Sequence, residues 1–96
     1  MPFSVEYSAR AVRDLKKIDR YIRTLIISWI EKNLVNCDNP RKLGKALAAD
    51  RTGQWRYRIG HYRVLAEIDD RKVLIMVVNI GHRKDIYKTQ KRPSRK

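Results

Sequence analysis

The ten residues Trp55–Val64 constrain the fold more than any other part of the chain, because they read as two β-strands joined by a two-residue turn. Side chains alternate between the two faces of a strand. The turn places Ile59 opposite Tyr62 and Arg58 opposite Arg63. One face of this hairpin is therefore predicted to be apolar, and the other to carry arginines.

The arginine face of the hairpin carries Arg56, Arg58 and Arg63. Like charges directly opposite one another destabilise a sheet. No acidic residue occurs between Asp50 and Glu67, so the hairpin is more cationic than the rest of a basic chain. Either the arginines pair with distant carboxylates, with Glu67 as one candidate, or they converge on an external anion. We favour the second interpretation and take the anion to be RNA phosphate.

Composition supports a nucleic-acid partner. The chain has 96 residues and a formal net charge of +13, with 43% hydrophobic and 34% charged residues. This length suits one small globular domain. Such a basic excess favours a polyanion, most often nucleic acid, over the alternative of an acidic protein partner.

The sequence predicts no disulfide, no metal or cofactor site and no membrane span. The single cysteine, Cys37, cannot form an internal disulfide or a cysteine-based zinc site. There is no glycine-rich phosphate loop and no metal-ligand spacing, so no metal and no cofactor are expected. The longest apolar run, Val73–Val78, is too short to span a bilayer. We expect a cytoplasmic protein with no membrane partner.

Hydrophobic periodicity predicts an α+β fold, in which an antiparallel sheet packs against a helical hairpin. The sheet would contain an N-terminal strand and a three-stranded meander. The predicted elements are a strand over 3–7, a helix from an N-cap at Ser8 to about Lys17, a helix over 19–35, a connection over 41–53 with a helical turn at Leu43, Ala46 and Leu47, the hairpin strands 54–59 and 62–69, and a strand over 72–80 that Gly81 ends.

The residues after that last strand are candidates for the chemistry. His82 and Arg83 would lie near the hairpin in a meander, and Tyr87 would follow Arg83 by one helical turn. Metal-free RNA cleavage through the 2′-hydroxyl needs a base, an acid and cations around the phosphate. The arginines can supply the charge, but they carry protons poorly. His82 and Tyr87 are therefore the candidates for proton transfer.

Other residues are candidates for RNA contact. Tyr87 and Trp55 could stack on a base. The lysines predicted to contact RNA are Lys42, Lys45, Lys84 and Lys88. We assign residues 1–88 to one domain and 89–96 to a basic flexible tail.

Two segments together resemble a known family. The segment from Trp55 to Val64, followed by the run Gly81–Tyr87, is similar to the RelE/ParE toxin superfamily on its RelE side. The predicted order of strand, two helices and meander agrees with this resemblance, which covers the chain except for the basic tail.

The resemblance implies a microbial-RNase-like fold and a toxin of a type II toxin–antitoxin system. Such a toxin enters the ribosomal A site, cleaves mRNA and inhibits translation. The implied partners are a RelB-like antitoxin, the small ribosomal subunit and mRNA. The resemblance places catalytic basic residues on Arg56, Arg58, Arg63 and Arg83, and a functional tyrosine on Tyr87.

This chain departs from the family pattern at two positions. Well-known RelE toxins carry lysines where it has Arg56 and Arg58, and proton transfer would then pass to His82 or Tyr87. Two alternatives remain open: a ParE-like toxin that inhibits DNA gyrase without catalysis, and a basic RNA-binding module without toxicity.

Overall fold

The computed structural model describes residues 1–47 and 53–86, which form a mixed sheet with two helices on one face. In chain order the elements are β1 (Ser4–Tyr7), α1 (Ala9–Lys17), α2 (Arg20–Asn33), β2 (Lys45–Ala46), β3 (Gln54–Ile59), β4 (Tyr62–Asp69) and β5 (Leu74–His82), followed by a helical turn over 83–86. The predicted α+β class is confirmed. The tail predicted over 89–96 lies outside the described residues.

The first helix begins at the predicted N-cap, Ser8, and the second has its N-cap at Asp19, which was predicted as the first residue of that helix. The Ser8 hydroxyl accepts a hydrogen bond of 3.0 Å from the Ala11 amide, and the Asp19 carboxylate accepts one of 3.0 Å from the Tyr21 amide. Each bond satisfies an amide that has no partner within the helix. The second helix ends at Asn33, two residues earlier than predicted.

The strand order is β1-β5-β4-β3-β2. The antiparallel meander of β3, β4 and β5 is as predicted, and Arg58 lies opposite Arg63. The N-terminal strand differs from the expectation, because β1 pairs in parallel with β5. Parallel neighbours need a long connection, which the intervening helices and strands supply. The alternation of side chains along β1 carries no information about its direction.

The chain between α2 and β3 does not form the predicted helical turn. Instead Lys45 and Ala46 form β2, opposite Arg56 and Trp55 of β3. Gly44, with a φ of 78°, stands immediately before this strand. A left-handed residue cannot continue a right-handed helix, so the turn predicted for Leu43, Ala46 and Leu47 was wrong.

The last strand has the predicted length of nine residues, but it starts and ends two residues later than predicted. It continues through Gly81 to His82, because Gly81 remains in the ladder opposite Arg63. A register shift at Leu65 and Ala66 marks a β-bulge in this pair of strands. The helical turn over 83–86 then places Ile86 close to Gly81, where an added β-carbon would lie 3.5 Å from Cδ1 of Ile86.

The hydrophobic core lies between the helices and one face of the sheet. Its fully buried members include Ala11 of α1, Ile26 and Ile30 of α2, and Tyr57 and Val64 of the hairpin. Tyr57 and Val64 are cross-strand partners, so the apolar face of the hairpin is the face that the helices cover. The arginines therefore lie on the opposite face.

None of the helices in the described part of the chain is long and apolar enough to cross a membrane.

Candidate active site

The arginines of β3 and β4 line a groove of about 340 Å³. The groove contains Arg56, Arg58 and Arg63, together with Trp29, Leu43, Gly44 and Lys45. No acidic side chain occurs among these lining residues. We call it the arginine groove, and its lining gives it a strongly positive local charge.

Arg63 is the most deeply placed cation of the groove, at 6% relative exposure. Its Nη1 donates hydrogen bonds of 3.1 Å to the carbonyl oxygens of Gly60 and Tyr62. Neutral carbonyls satisfy N–H groups but do not cancel a charge, and a buried charge without a counter-ion is costly. Within the described residues no carboxylate forms an ion pair with Arg63. An anion entering the groove would therefore be attracted to this guanidinium.

Glu67 does not enter the arginine groove. It lies opposite Gln54 and lines a separate cavity beside Leu47 and Val78. The interpretation in which Glu67 occupies the groove as a counter-ion is therefore not supported by the geometry.

Lys45 enters the groove from the short strand β2. It is the cross-strand partner of Arg56, and directly opposite residues extend their side chains from the same face of a sheet. The approach of β2 depends on Gly44, because a β-carbon there would collide with the Arg56 carbonyl oxygen and lie 2.9 Å from Cδ1 of Tyr57. Glycine is thus required for Lys45 to reach this position.

A hydrogen-bonded loop supports the outer wall of the groove. The Tyr57 hydroxyl, which is fully buried, donates a hydrogen bond of 2.6 Å to the Pro40 carbonyl oxygen. Burial raises the pKa of Tyr57, and the Arg41 guanidinium opposes the rise only weakly. Tyr57 therefore remains a neutral hydrogen-bond donor that fixes the start of the loop.

Trp55 contributes to the same loop rather than to the groove lining. Its indole N–H donates a hydrogen bond of 2.6 Å to the Leu43 carbonyl oxygen. The guanidinium carbon of Arg41 lies 5.9 Å from the centre of the ring, within cation–π range. Trp55 was predicted to stack on RNA, and here its N–H is occupied by the protein.

His82 lies on the opposite side of the sheet from the arginine groove. It is the cross-strand partner of Tyr62, which pairs with Ile59 on the helix-covered face. Its ring lies 5.5 Å from that of Tyr62 and 6.0 Å from that of His61. A second cavity, of about 330 Å³, contains His82 together with Arg10 and Asp14 of α1. The structure therefore does not bring His82 and the three arginines together.

Arg83 lies at the tip of the hairpin. Its amide donates a hydrogen bond of 2.8 Å to the His61 carbonyl oxygen, as expected if the last strand returns beside the turn. Its side chain is exposed. Arg83 is not among the residues that line the arginine groove, but its backbone lies beside the turn that follows the Arg58–Arg63 pair.

The remaining predicted residues are dispersed or outside the described residues. Lys42 lines a different cavity beside Pro40, and Lys84 is exposed after β5. Tyr87 and Lys88 lie outside the described residues.

Trp29 lines the groove, although its sequence pattern does not predict this. Its spacing in α2 is that of a core position, and its ring does contact Tyr57 at 5.7 Å between centroids. The same side chain is only half-buried and also lines the groove. No local pattern distinguishes it from its neighbours in the apolar stripe, because its access to the groove depends on the position of the loop at Leu43.

No group of three or more His, Cys, Asp or Glu side chains within residues 1–47 and 53–86 is arranged to hold a metal ion.

Comparison with known proteins decides the family. The family model for the ParE toxin of type II toxin–antitoxin systems matches residues 5–87. The chain belongs to this family. The match includes both the hairpin and the segment after β5, and it confirms the resemblance to the RelE/ParE superfamily.

Two toxins of Mycobacterium tuberculosis resemble the chain over most of its length. Toxin RelG of Mycobacterium tuberculosis (strain ATCC 25618 / H37Rv) is 32% identical over 88 residues, covering 92% of this chain and 99% of the relative. Toxin RelE of the same strain is 33% identical over 87 residues, covering 91% of this chain and 88% of the relative.

Solved structures of RelE toxins share the fold. A chain of the RelBE2 toxin–antitoxin complex from Mycobacterium tuberculosis superposes with a TM-score of 0.75 at 28% identity, covering 85% of this chain and 99% of that one. A chain of the RelB–RelE complex from Methanococcus jannaschii superposes with a TM-score of 0.61 at 26% identity, covering 88% and 96%. The predicted RelE fold is confirmed.

Proposed function

We propose that this toxin is a ribosome-dependent endoribonuclease that cleaves mRNA in the ribosomal A site and thereby inhibits translation. The arginine groove is the observation that carries the proposal, because it places Arg56, Arg58 and Arg63 around one space with no acidic lining. The similarity to proteins named RelG and RelE supports the same activity.

The proposed reaction uses the ribose as its own nucleophile. The 2′-oxygen attacks the adjacent phosphorus, and the bond from phosphorus to the 5′-oxygen breaks. Negative charge builds on the phosphoryl oxygens in the transition state, where preorganised cations stabilise it best. Arg58, Arg63 and Arg83 take this role, with Arg56 in support. The arginines act without carrying protons.

The arginine groove does not contain His82, one of the two residues predicted to transfer protons. His82 faces the second cavity on the other side of the sheet. Tyr87 lies outside the described residues and stays a prediction for proton transfer or base stacking. The half-buried Trp29 supplies an aromatic surface within the groove, where a base could stack.

The proposed partners are a RelB-like antitoxin, mRNA and the small ribosomal subunit. Two of the similar solved structures, RelBE2 and RelB–RelE, are toxin–antitoxin complexes, and this supports an antitoxin as a partner. Exposed lysines such as Lys42 and Lys84 would contact RNA phosphates. We propose that the toxin acts in the cytoplasm, where the ribosomes are.

Primer extension on mRNA from cells that express this chain tests the activity. Discrete cuts within translated codons are expected, and they should disappear from a transcript whose start codon has been removed. The effect of removing the start codon distinguishes cleavage in the ribosome from cleavage of free RNA. Cuts that persist in the untranslated transcript would contradict ribosome dependence.

Gyrase inhibition is the second candidate, because the matching family model is named for the ParE toxin. The same cells distinguish the two activities. Intact transcripts together with induction of the DNA-damage response would support the ParE-like activity. No effect on growth would support a non-toxic RNA-binding module.

A further inference from the structure

The arginine groove contains one side chain whose chemistry differs from that of its neighbours. Cleavage through the 2′-hydroxyl requires a group that accepts a proton, and an arginine remains protonated in proteins. Arginine side chains are therefore unsuitable for this role. The remaining charged residue that lines the groove, Lys45, ends in an amine, which is a group that serves as a general base in proteins.

The position of Lys45 is built into the fold. The strand β2 contains only two residues, and its pairing with β3 sets Lys45 directly opposite Arg56. Gly44 makes the close approach possible, and the Trp55–Leu43 hydrogen bond holds the preceding loop. Lys45 is itself exposed, so its ammonium end can exchange protons with solvent.

We infer that Lys45 is the general base of the arginine groove and accepts the proton of the attacking 2′-hydroxyl. The inference rests on the proposed ribonuclease activity, and it adds a catalytic residue from a strand that carries no part of the family's motif. It also explains how the site functions with arginines at both positions where well-known RelE toxins have lysines.

The proton and bond changes balance without a further reactant. Neutral Lys45 Nζ takes the proton from the 2′-hydroxyl as the new bond from the 2′-oxygen to phosphorus forms. The bond from phosphorus to the 5′-oxygen breaks, and the 5′-oxygen takes a proton from water. Lys45 then releases its proton to solvent. The products are a 2′,3′-cyclic phosphate and a 5′-hydroxyl.

Two substitutions separate charge from proton transfer. Lys45→Arg keeps the positive charge but removes the group that can act as a base. Lys45→Ala removes both the charge and the base. We expect each variant to cleave mRNA on programmed ribosomes at least ~100-fold more slowly than the wild type. Lys45→Arg should bind the ribosome as tightly as the wild type does. Lys16→Arg, at an exposed position of α1, is the matched control and should cleave at the wild-type rate.

Chemical rescue distinguishes a proton acceptor from a structural residue. Added ethylamine should restore part of the cleavage by Lys45→Ala, and the restored rate should rise with pH as more of the amine becomes neutral. The charged groups that line the groove beside this position are the guanidinium groups of Arg56, Arg58 and Arg63. Rescue should be absent for Arg58→Ala, because an amine replaces a base but not a bidentate cation.

The outcomes separate the two proposals. If the wild-type protein does not cleave translated mRNA, the proposed function fails, and the role of Lys45 fails with it. If the wild type cleaves, either of two results overturns the assignment of Lys45 alone: wild-type cleavage by Lys45→Arg, or no rescue of Lys45→Ala. Circular dichroism and thermal melting of both variants verify that they are folded.

Discussion

Arg41 and Asp70 are joined by two parallel hydrogen bonds of 2.9 Å, although 29 residues separate them in the chain. The bonds tie the loop before β2 to the turn between β4 and β5. Arg41 also lies over the Trp55 ring, so this ion pair holds the wall of the groove that leads to Lys45. The shape of the arginine groove therefore depends on the Arg41–Asp70 ion pair, which lies outside the groove.

The first prediction concerns pH. The hydrogen bonds from Arg41 hold the pKa of Asp70 below its usual value. The pKa of Asp70 is lower in the folded protein than in the unfolded chain, where it is about 4. The stabilisation of the fold by the Arg41–Asp70 pair is therefore complete above the unfolded-state pKa, and it is lost as the pH falls through the folded-state pKa. Asp70→Asn should melt slightly below the wild type at neutral pH. The two melting temperatures should approach each other as the pH falls below about 4, and they should meet below the lowered pKa of Asp70. A difference that persists at lower pH would contradict this linkage.

The second prediction compares two glycines with positive φ. At Gly60 (φ of 58°) an added β-carbon meets nothing within 4 Å, so Gly60→Ala carries only the cost of its backbone conformation, about 1 kcal/mol. At Gly44 (φ of 78°) the same change also forces contact with the Arg56 carbonyl, so Gly44→Ala should cost about 3 kcal/mol in unfolding free energy. Urea denaturation of both variants measures this. Equal costs would show that β2 can move away from Arg56 without penalty.

The third prediction concerns Asp14, which joins α1 to β5. Its Oδ2 accepts hydrogen bonds of 2.7 Å from the Asn79 side chain and 2.9 Å from the Ile80 amide. Asp14→Ala leaves both donors without this acceptor, so it should lower the free energy of unfolding by about 2 kcal/mol. Asp14→Asn retains a carbonyl oxygen and should cost less. Chemical denaturation ranks the variants, and an equal loss from both would mean that the charge, rather than the acceptor, stabilises the contact.

The fourth prediction compares Arg83 with His82. Arg83→Ala should abolish mRNA cleavage with the fold intact, because the Arg83 contact with the hairpin turn is made by its backbone amide, which the substitution keeps. His82→Gln should reduce cleavage far less, since His82 lies on the opposite face from the arginine groove. Primer extension measures both variants at matched expression. Loss of cleavage in His82→Gln alone would reverse these roles.

The hairpin and the helix starts could be predicted because local rules govern them. A two-residue turn determines which residues of β3 and β4 lie opposite one another, and this placed Arg58 against Arg63 correctly. The helices likewise begin at Ser8 and Asp19, whose side chains bond amides two or three residues ahead. Both signals act over a few residues, so they can be read without knowing the rest of the fold.

The site as a whole could not be assembled in the same way. Lys45 was only one of several candidate lysines, because nothing in its surroundings shows that a two-residue strand pairs it with Arg56. His82 is adjacent to Arg83 in sequence and was grouped with the arginines, but the strand continues through Gly81 and turns the His82 side chain to the helix-covered face. Trp29 has core spacing and reaches the groove only because the loop at Leu43 lies beside it.

By itself, the sequence determined the charge, the α+β class, the arginine face of the hairpin and the family to which the chain belongs. These depend on composition, on side-chain alternation and on motifs that are local in the chain. Only the tertiary structure decided that β1 runs parallel to β5, that Lys45 joins the arginines and that His82 does not. Those results depend on strand direction and long-range pairing, which arise from packing between segments that no local pattern connects.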